Sequence, residues 1–192
     1  MAGFGAVRVR ARYAAVAAAL AGGLLTGCSV FPQAPPPRLA ATPGNTQTVQ
    51  VGKVSRVVDG DTLRVVVNGA ETTIRVIGVD TPETHKPNTQ VQCYGPQATA
   101  QAKEIAAGRI VTVRNDPSQA QVDRYGRALR YIELPDGRDL SVAMVGGGFG
   151  RAYKVAGPAP VMWAQLVAAQ QQAQQQKTGL WAPRPRGCGG GL

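Results

Sequence analysis

The pair Asn68-Gly69 sits between two runs rich in β-branched residues, Thr62–Val67 and Thr72–Ile77. Asparagine and glycine both accept the positive φ that a two-residue hairpin turn requires, so the pair between such runs predicts two antiparallel strands side by side. A further run, Val49–Val58, precedes them across Asp59-Gly60-Asp61, again residues that favour turns. Connections this short leave no room for a crossover, so three successive strands are predicted.

The remaining pattern extends this sheet. Gly95–Ala107 has alanine-rich helical spacing and Gly108 as its stop. Ile110–Arg114 reads as a fourth strand and Arg127–Leu134 as a fifth, which ends at Pro135-Asp136-Gly137. Leu140–Val145 reads as a short helix closed by Gly146-Gly147-Gly148. A last helix is expected from Ala159 to Lys177, with Trp163, Leu166, Val167 and Ala173 on one face; the glutamine-rich stretch 170–176 is its solvated end. Five strands with a helix between the third and fourth predict an α+β fold, a five-stranded OB-fold β-barrel with about three helices.

The chain ahead of this domain has a different character. Arg8, Arg10 and Arg12 precede the apolar stretch Tyr13–Leu25, which is too short to span a bilayer comfortably and reads as part of a signal peptide over residues 1–27. The boundary Leu25-Thr26-Gly27-Cys28 has the form of a lipobox, so Cys28 is expected to carry lipid and anchor the protein to the outer face of the bacterial cell membrane. An ordinary secretory signal with a coincidental cysteine is the alternative. Residues 28–47 are proline-rich and read as a flexible tether, residues 48–182 as the folded domain and 183–192 as a tail.

Export leaves Cys93 and Cys188, and two thiols outside the cell are expected to pair rather than stay free. A catalytic cysteine is disfavoured, because His85 is the sole imidazole and reads as an exposed loop residue. The chain carries a formal charge of +10, and loss of the three signal arginines leaves +7. That suits a polyanionic ligand such as nucleic acid, and equally an anionic membrane or wall.

The chemistry lies at the strand ends. Asp59-Gly60-Asp61-Thr62 and Asp80-Thr81-Pro82-Glu83 each follow a β-branched run, Arg75 lies within the second run, and Asp123-Arg124-Tyr125-Gly126-Arg127 opens the fifth strand. Hard carboxylate oxygens suit a divalent cation, and guanidiniums suit a phosphate. There is no histidine cluster or paired CxxC for zinc. Each piece also has a plainer reading. The first loop is a turn, Arg75 a strand arginine in a salt bridge, Arg127 a solvent-facing side chain, and Asp123 a structural acceptor in its loop.

Together the segments VVDGDTLRV, IRVIGVDTPET and DRYGRALRYI resemble the three signatures of the staphylococcal (micrococcal) nuclease family, in order and spacing. The resemblance runs from about Val49 to Trp181 and includes Cys93-Tyr94-Gly95-Pro96 and the closing Gly179-Leu180-Trp181. It implies Asp61, Asp80 and the carbonyl of Thr81 as calcium ligands, with Asp59 nearby. It also implies Arg75 and Arg127 as the clamp on the scissile phosphate and Glu83 as the residue that orients or deprotonates water. Tyr125, Arg124, Tyr153 and Lys154 would contact the nucleotide. The implied activity is calcium-dependent hydrolysis of DNA and RNA to 3′-phosphate ends by a monomer.

Two departures stand out. The loop 85–92 carries one lysine, and RAYKVAGPAP after the glycine turn keeps Tyr153 and Lys154 but lacks a second tyrosine. Since stacking contributes about 1–3 kcal/mol per base, base affinity is the property in question. Two rival functions remain: an OB-fold envelope lipoprotein that binds nucleic acid without cutting it, and a surface lipoprotein that binds other anionic polymers. Retention of Arg75, Glu83 and Arg127 together argues against the first.

Overall fold

The computed structural model describes residues 46–84 and 91–183. The signal-like segment, Cys28, nearly all of the tether, His85 and Cys188 lie outside them. Along the chain run β1 (Val49–Val57), β2 (Thr62–Val67), β3 (Ala70–Val76), β4 (Val79–Asp80) and α1 (Gly95–Ala106). There follow β5 (Ile110–Arg114), β6 (Ala128–Glu133), α2 (Leu140–Gly146), β7 (Arg151–Ala152), α3 (Trp163–Gln175) and a 3-10 turn at Gly179–Trp181.

The five long strands close into a barrel in the order β1-β2-β3-β6-β5. This is the five-stranded OB barrel, and with its helices the α+β fold, that the sequence predicts. Asn68 and Gly69 make the β2–β3 turn at φ 50° and 82°, in the left-handed region that such a turn needs. The antiparallel ladders β1–β2, β2–β3, β1–β5 and β5–β6 are joined by one parallel pairing, β3 with β6, which closes the barrel.

Alternation along the strands sends Val54, Leu63, Val65, Ile74, Val76, Val111, Val113 and Ile132 into the barrel interior, each 3 % exposed or less. Helix α1 buries Ala98, Ala102 and Ala106, small residues spaced four apart that allow close approach. Helix α2 is capped by Asp139, whose carboxylate accepts from the amides of Ser141 (2.9 Å) and Val142 (3.3 Å). It buries Leu140, Met144 and Val145 and packs against α3, which contributes Leu166 and Ala173. Among the described residues no helix is long and apolar enough to cross a membrane.

The structure departs from the sequence expectation in two places. Helix α3 begins at Trp163, not Ala159. Pro160 lacks a donor and restricts the residue before it. The amides of Val161 and Met162 donate instead to Asp116 Oδ2 (2.8 Å) and the Tyr131 hydroxyl (3.3 Å), so this stretch is held against the barrel. The second departure is the two-residue sheet of β4 with β7, which pairs Val79 with Ala152 and Asp80 with Arg151. It is too short to leave a periodic signal, yet it fixes the backbone of Asp80.

Candidate active site

The site forms where the β1–β2 turn, the end of β3, the β4 loop and the turn before β6 meet. Pairing of β2 with β3 sets Thr62 opposite Arg75, and the amide of Val76 donates to the Asp61 carbonyl at 2.9 Å. The parallel pairing sets Ala128 beside Ile74 and so brings Arg127 to the same end of the barrel. Here Asp61, Arg75, Asp80, Thr81, Glu83 and Arg127 line one cleft of about 1020 Å³, with Asp59 among them.

Asp61 is the buried centre of this arrangement, 7 % exposed. Its Oδ2 accepts from the Thr81 amide (2.9 Å) and hydroxyl (3.1 Å), while its Oδ1 accepts from the Thr62 hydroxyl (3.1 Å) and lies 3.3 Å from Arg75 Nε. Arg75 Nη1 donates to the carbonyls of Val76 (2.7 Å) and Val79 (2.6 Å), and its Nη2 pairs with Asp80 Oδ1 at 3.0 Å. The salt-bridge reading of Arg75 is therefore correct, but its partners are the acidic residues of the cleft. Arg127 donates from Nε to Asp123 Oδ2 (2.7 Å) and from Nη1 to the Thr62 hydroxyl (3.4 Å).

Glu83 is held through its backbone by Gln92. Its amide donates to Gln92 Oε1 at 2.8 Å, and its carbonyl accepts from the Gln92 amide at 2.9 Å. The start of α1 is pressed against this loop: a Cβ on Gly95 would meet Thr84 Cγ2 at 2.6 Å and the Glu83 carbonyl at 3.0 Å. At the mouth of the cleft Tyr125 is 67 % exposed, with the guanidiniums of Arg124 and Arg127 over its ring at 4.8 and 5.4 Å. Tyr153 and Lys154 also line the cleft, both exposed.

The electrostatics of the cleft are those of crowded carboxylates. Burial, then repulsion from Asp61 and Glu83, outweighs the hydrogen bonds to Asp59 and pushes its carboxyl up to about 6. Desolvation within the cleft and the charge of Asp61 likewise raise Asp80, against the pull of Arg75; with its side chain 57 % exposed, the repulsion from Asp61 is the firmer of the two causes. Such acids stay charged at lower cost when a cation lies among them.

Among the described residues no three carboxylate, histidine or cysteine side chains converge into a ready metal cage. What the site offers is Asp61, Asp80 and the backbone oxygen of Thr81, an all-oxygen, half-open set. That fits a hard, geometrically tolerant ion such as calcium and does not fit zinc.

One contributor escaped the sequence reading: Thr62 touches both Asp61 and Arg127. Asp123 is the loop acceptor the sequence suggests, taking the amides of Tyr125 and Arg127, and it also accepts from Arg127 Nε. The strand register of β2 on β3 carries the signal for Thr62, because it places that hydroxyl beside Arg75. Of the other expected site residues, Cys93 lies just ahead of α1 and does not line the cleft; Cys28 and Cys188 lie outside the described residues.

An OB barrel that presents paired guanidiniums beside one buried carboxylate and its acidic neighbours has the equipment of a phosphodiester-cleaving hydrolase. Comparison with known proteins agrees. The family described as "Staphylococcal nuclease homologue" matches residues 73–183. The thermonuclease of Staphylococcus hyicus is 40 % identical over 134 residues, covering 69 % of this chain and 76 % of the relative. Endonuclease YncB of Bacillus subtilis (strain 168) is 33 % identical over 145 residues, 74 % of this chain and 68 % of that protein. An uncharacterized endonuclease of Escherichia coli O157:H7 is 37 % identical over 131 residues, 68 % and 76 % of the two chains. The chain belongs to the staphylococcal nuclease family, and it is a nuclease.

Proposed function

We propose that this nuclease is calcium-dependent, cuts both DNA and RNA with little sequence preference, and leaves 3′-phosphate ends. The observation that carries the reading is the convergence of Arg75 and Arg127 with Asp61, Asp80 and Glu83 on one cleft. Guanidiniums stay protonated at any working pH, and their forked donors match phosphate oxygens. Their contacts favour the phosphoryl transition state, where charge on those oxygens grows. Phosphate contacts carry no sequence information, which accounts for low specificity.

Asp61 and Asp80, with the Thr81 carbonyl, are the residues that would hold calcium. Held there, the ion would set positive charge against the phosphoryl oxygens and make the attacking water more acidic. Glu83 orients that water and takes up its proton, while Arg75 and Arg127 keep the phosphate in line. Water attacks phosphorus, and the 5′-oxygen leaves. Tyr125, Arg124, Tyr153 and Lys154, which all line the cleft, guide the strand across it.

The reading extends to location. The lipobox-like boundary at Cys28 supports lipid anchorage at the outer face of the bacterial cell membrane, and the proline-rich stretch supports an outward-reaching domain. Pairing of Cys93 with Cys188 belongs to the same reading, supported by the two cysteines that export would leave in an oxidising compartment. The protein is proposed to act as a monomer.

The test is an assay on single-stranded DNA, duplex DNA and RNA, with calcium or with a chelator, followed by analysis of product ends. Cleavage of all three only with calcium, to 3′-phosphate ends, is expected. Binding without cleavage would return the alternative of a non-catalytic nucleic-acid-binding lipoprotein, and 5′-phosphate ends would overturn the assigned direction of attack.

A further inference from the structure

We propose that Asp123 is the positioning residue of Arg127: it fixes the direction in which that guanidinium faces the scissile phosphate. The inference rests on the placement of Arg127 in the phosphate clamp. The two arginines of the clamp are built differently. Arg75 is held on every nitrogen, by Asp61, Asp80 and two carbonyls. Arg127 is held from behind. Its Nε donates to Asp123 Oδ2 at 2.7 Å and its Nη1 to the Thr62 hydroxyl at 3.4 Å, while the guanidinium lies over the Tyr125 ring and Nη2 has no hydrogen-bond partner among the described residues.

Asp123 is itself rigidly seated. Its Oδ1 accepts from the amides of Tyr125 and Arg127, each at 2.9 Å, and its own amide donates to the Arg127 carbonyl at 2.9 Å. The carboxylate thus grips both ends of the residue it aims. Its side chain is 16 % exposed against 30 % for Arg127, so the pair sits where water competes weakly and the ionic hydrogen bond retains direction. A guanidinium is planar, so fixing Nε fixes the plane, and the remaining Nη2 edge is the one left for a phosphate oxygen. Thr62 supplies a second contact on the side facing Asp61.

The test uses Asp123→Asn, whose Oδ1 retains the turn hydrogen bonds while its amide nitrogen confronts the Nε–H of Arg127. Turnover is measured in the wild-type and Arg127→Ala backgrounds, at raised enzyme concentration in the latter. In the wild-type background kcat should fall about 100-fold with KM little changed, the scale of a misplaced catalytic group. In Arg127→Ala the same change should cost less than about twofold, because residues that act as a unit are non-additive.

Equal losses in both backgrounds, or unchanged kcat in a folded Asp123→Asn protein, would overturn the proposal. Wild-type turnover by Arg127→Ala would instead overturn the clamp assignment beneath it. Should Asp123→Asn fail to fold, Thr62→Val and Thr62→Ser give the second reading. Serine should restore most of what valine loses, and equal activity in the two would refute positioning by the groups behind Arg127.

Discussion

Asp61 and Thr81, twenty residues apart in sequence, are joined twice: one carboxylate oxygen accepts from the threonine amide at 2.9 Å and from its hydroxyl at 3.1 Å. The pair ties the β1–β2 turn to the β4 loop and orients the acid at the base of the cleft. Gly60 makes the approach possible, since a Cβ there would lie 2.7 Å from the Thr81 side chain. Sequence order puts Asp61 beside a glycine, and the fold explains the glycine.

The proposed metal dependence rests on the oxygen-only donor set. Asp61→Ala and Asp80→Ala should each weaken calcium binding in calorimetry and abolish most cleavage, while the chelated wild-type protein stays folded but inactive. Full turnover in chelator, by protein verified free of metal, is the result that would remove the cation from the mechanism.

The proposed phosphate clamp depends on fork geometry as well as charge. Arg75→Lys and Arg127→Lys keep the charge but not the planar pair of donors. Each should lower kcat by roughly 10²–10³-fold, the cost of losing one transition-state donor, with little change in the melting temperature of Arg127→Lys. Arg75→Lys should also destabilise, because Arg75 bridges two acids and two carbonyls.

Acid stability should report on Asp116, which is 1 % exposed. Burial raises its pKa, but hydrogen bonds from Ser118, Val161 and Tyr131 outweigh burial and hold the carboxyl below the ordinary range. A depressed folded pKa gives stability that is present above the unfolded value and lost as pH falls through the folded one. Asp116→Asn should therefore cost about 2 kcal/mol at pH 7, in keeping with hydrogen bonds to a charged group. The difference in denaturant midpoint between the two proteins should shrink below about pH 4.

Helix α3 supports the site through Leu166, which is fully buried over Gly78. A Cβ on Gly78 would meet Leu166 Cδ1 at only 2.3 Å, and the glycine sits at φ 87°. Leu166→Ala should destabilise by about 2–5 kcal/mol in chemical denaturation. Gly78→Ala should combine backbone strain with a clash and displace the turn leading to Asp80, so that activity falls even well below the melting temperature.

Thiol chemistry separates the proposed disulfide from the proposed anchor. Mass spectrometry of exported, unreduced protein should find a Cys93–Cys188 linked peptide, and fatty-acid labelling should mark the wild type but not Cys28→Ala. Free thiols at both former positions, or equal label in both proteins, would refute the respective assignment without touching the nuclease.

Much of the barrel was legible in order. The Asn68-Gly69 hairpin, the β-branched runs and the helix between strands three and four are local signals, and each element lies within a few residues of its predicted place. Asp61, Arg75, Asp80, Thr81, Glu83 and Arg127 were nameable because short motifs mark them. The start of α3 was misplaced because Asp116 and Tyr131, distant in sequence, take the amides that a helix would use.

What the sequence alone determined is which strands turn back on one another and which side chains bring charge, because turn chemistry and alternation act over a few residues. What only the tertiary structure decided is how those charges meet. The parallel pairing of β3 with β6, the two-residue sheet of β4 with β7 and the two bonds of Thr81 to Asp61 depend on barrel closure. Closure sets the distances between strand ends, and no local pattern encodes them.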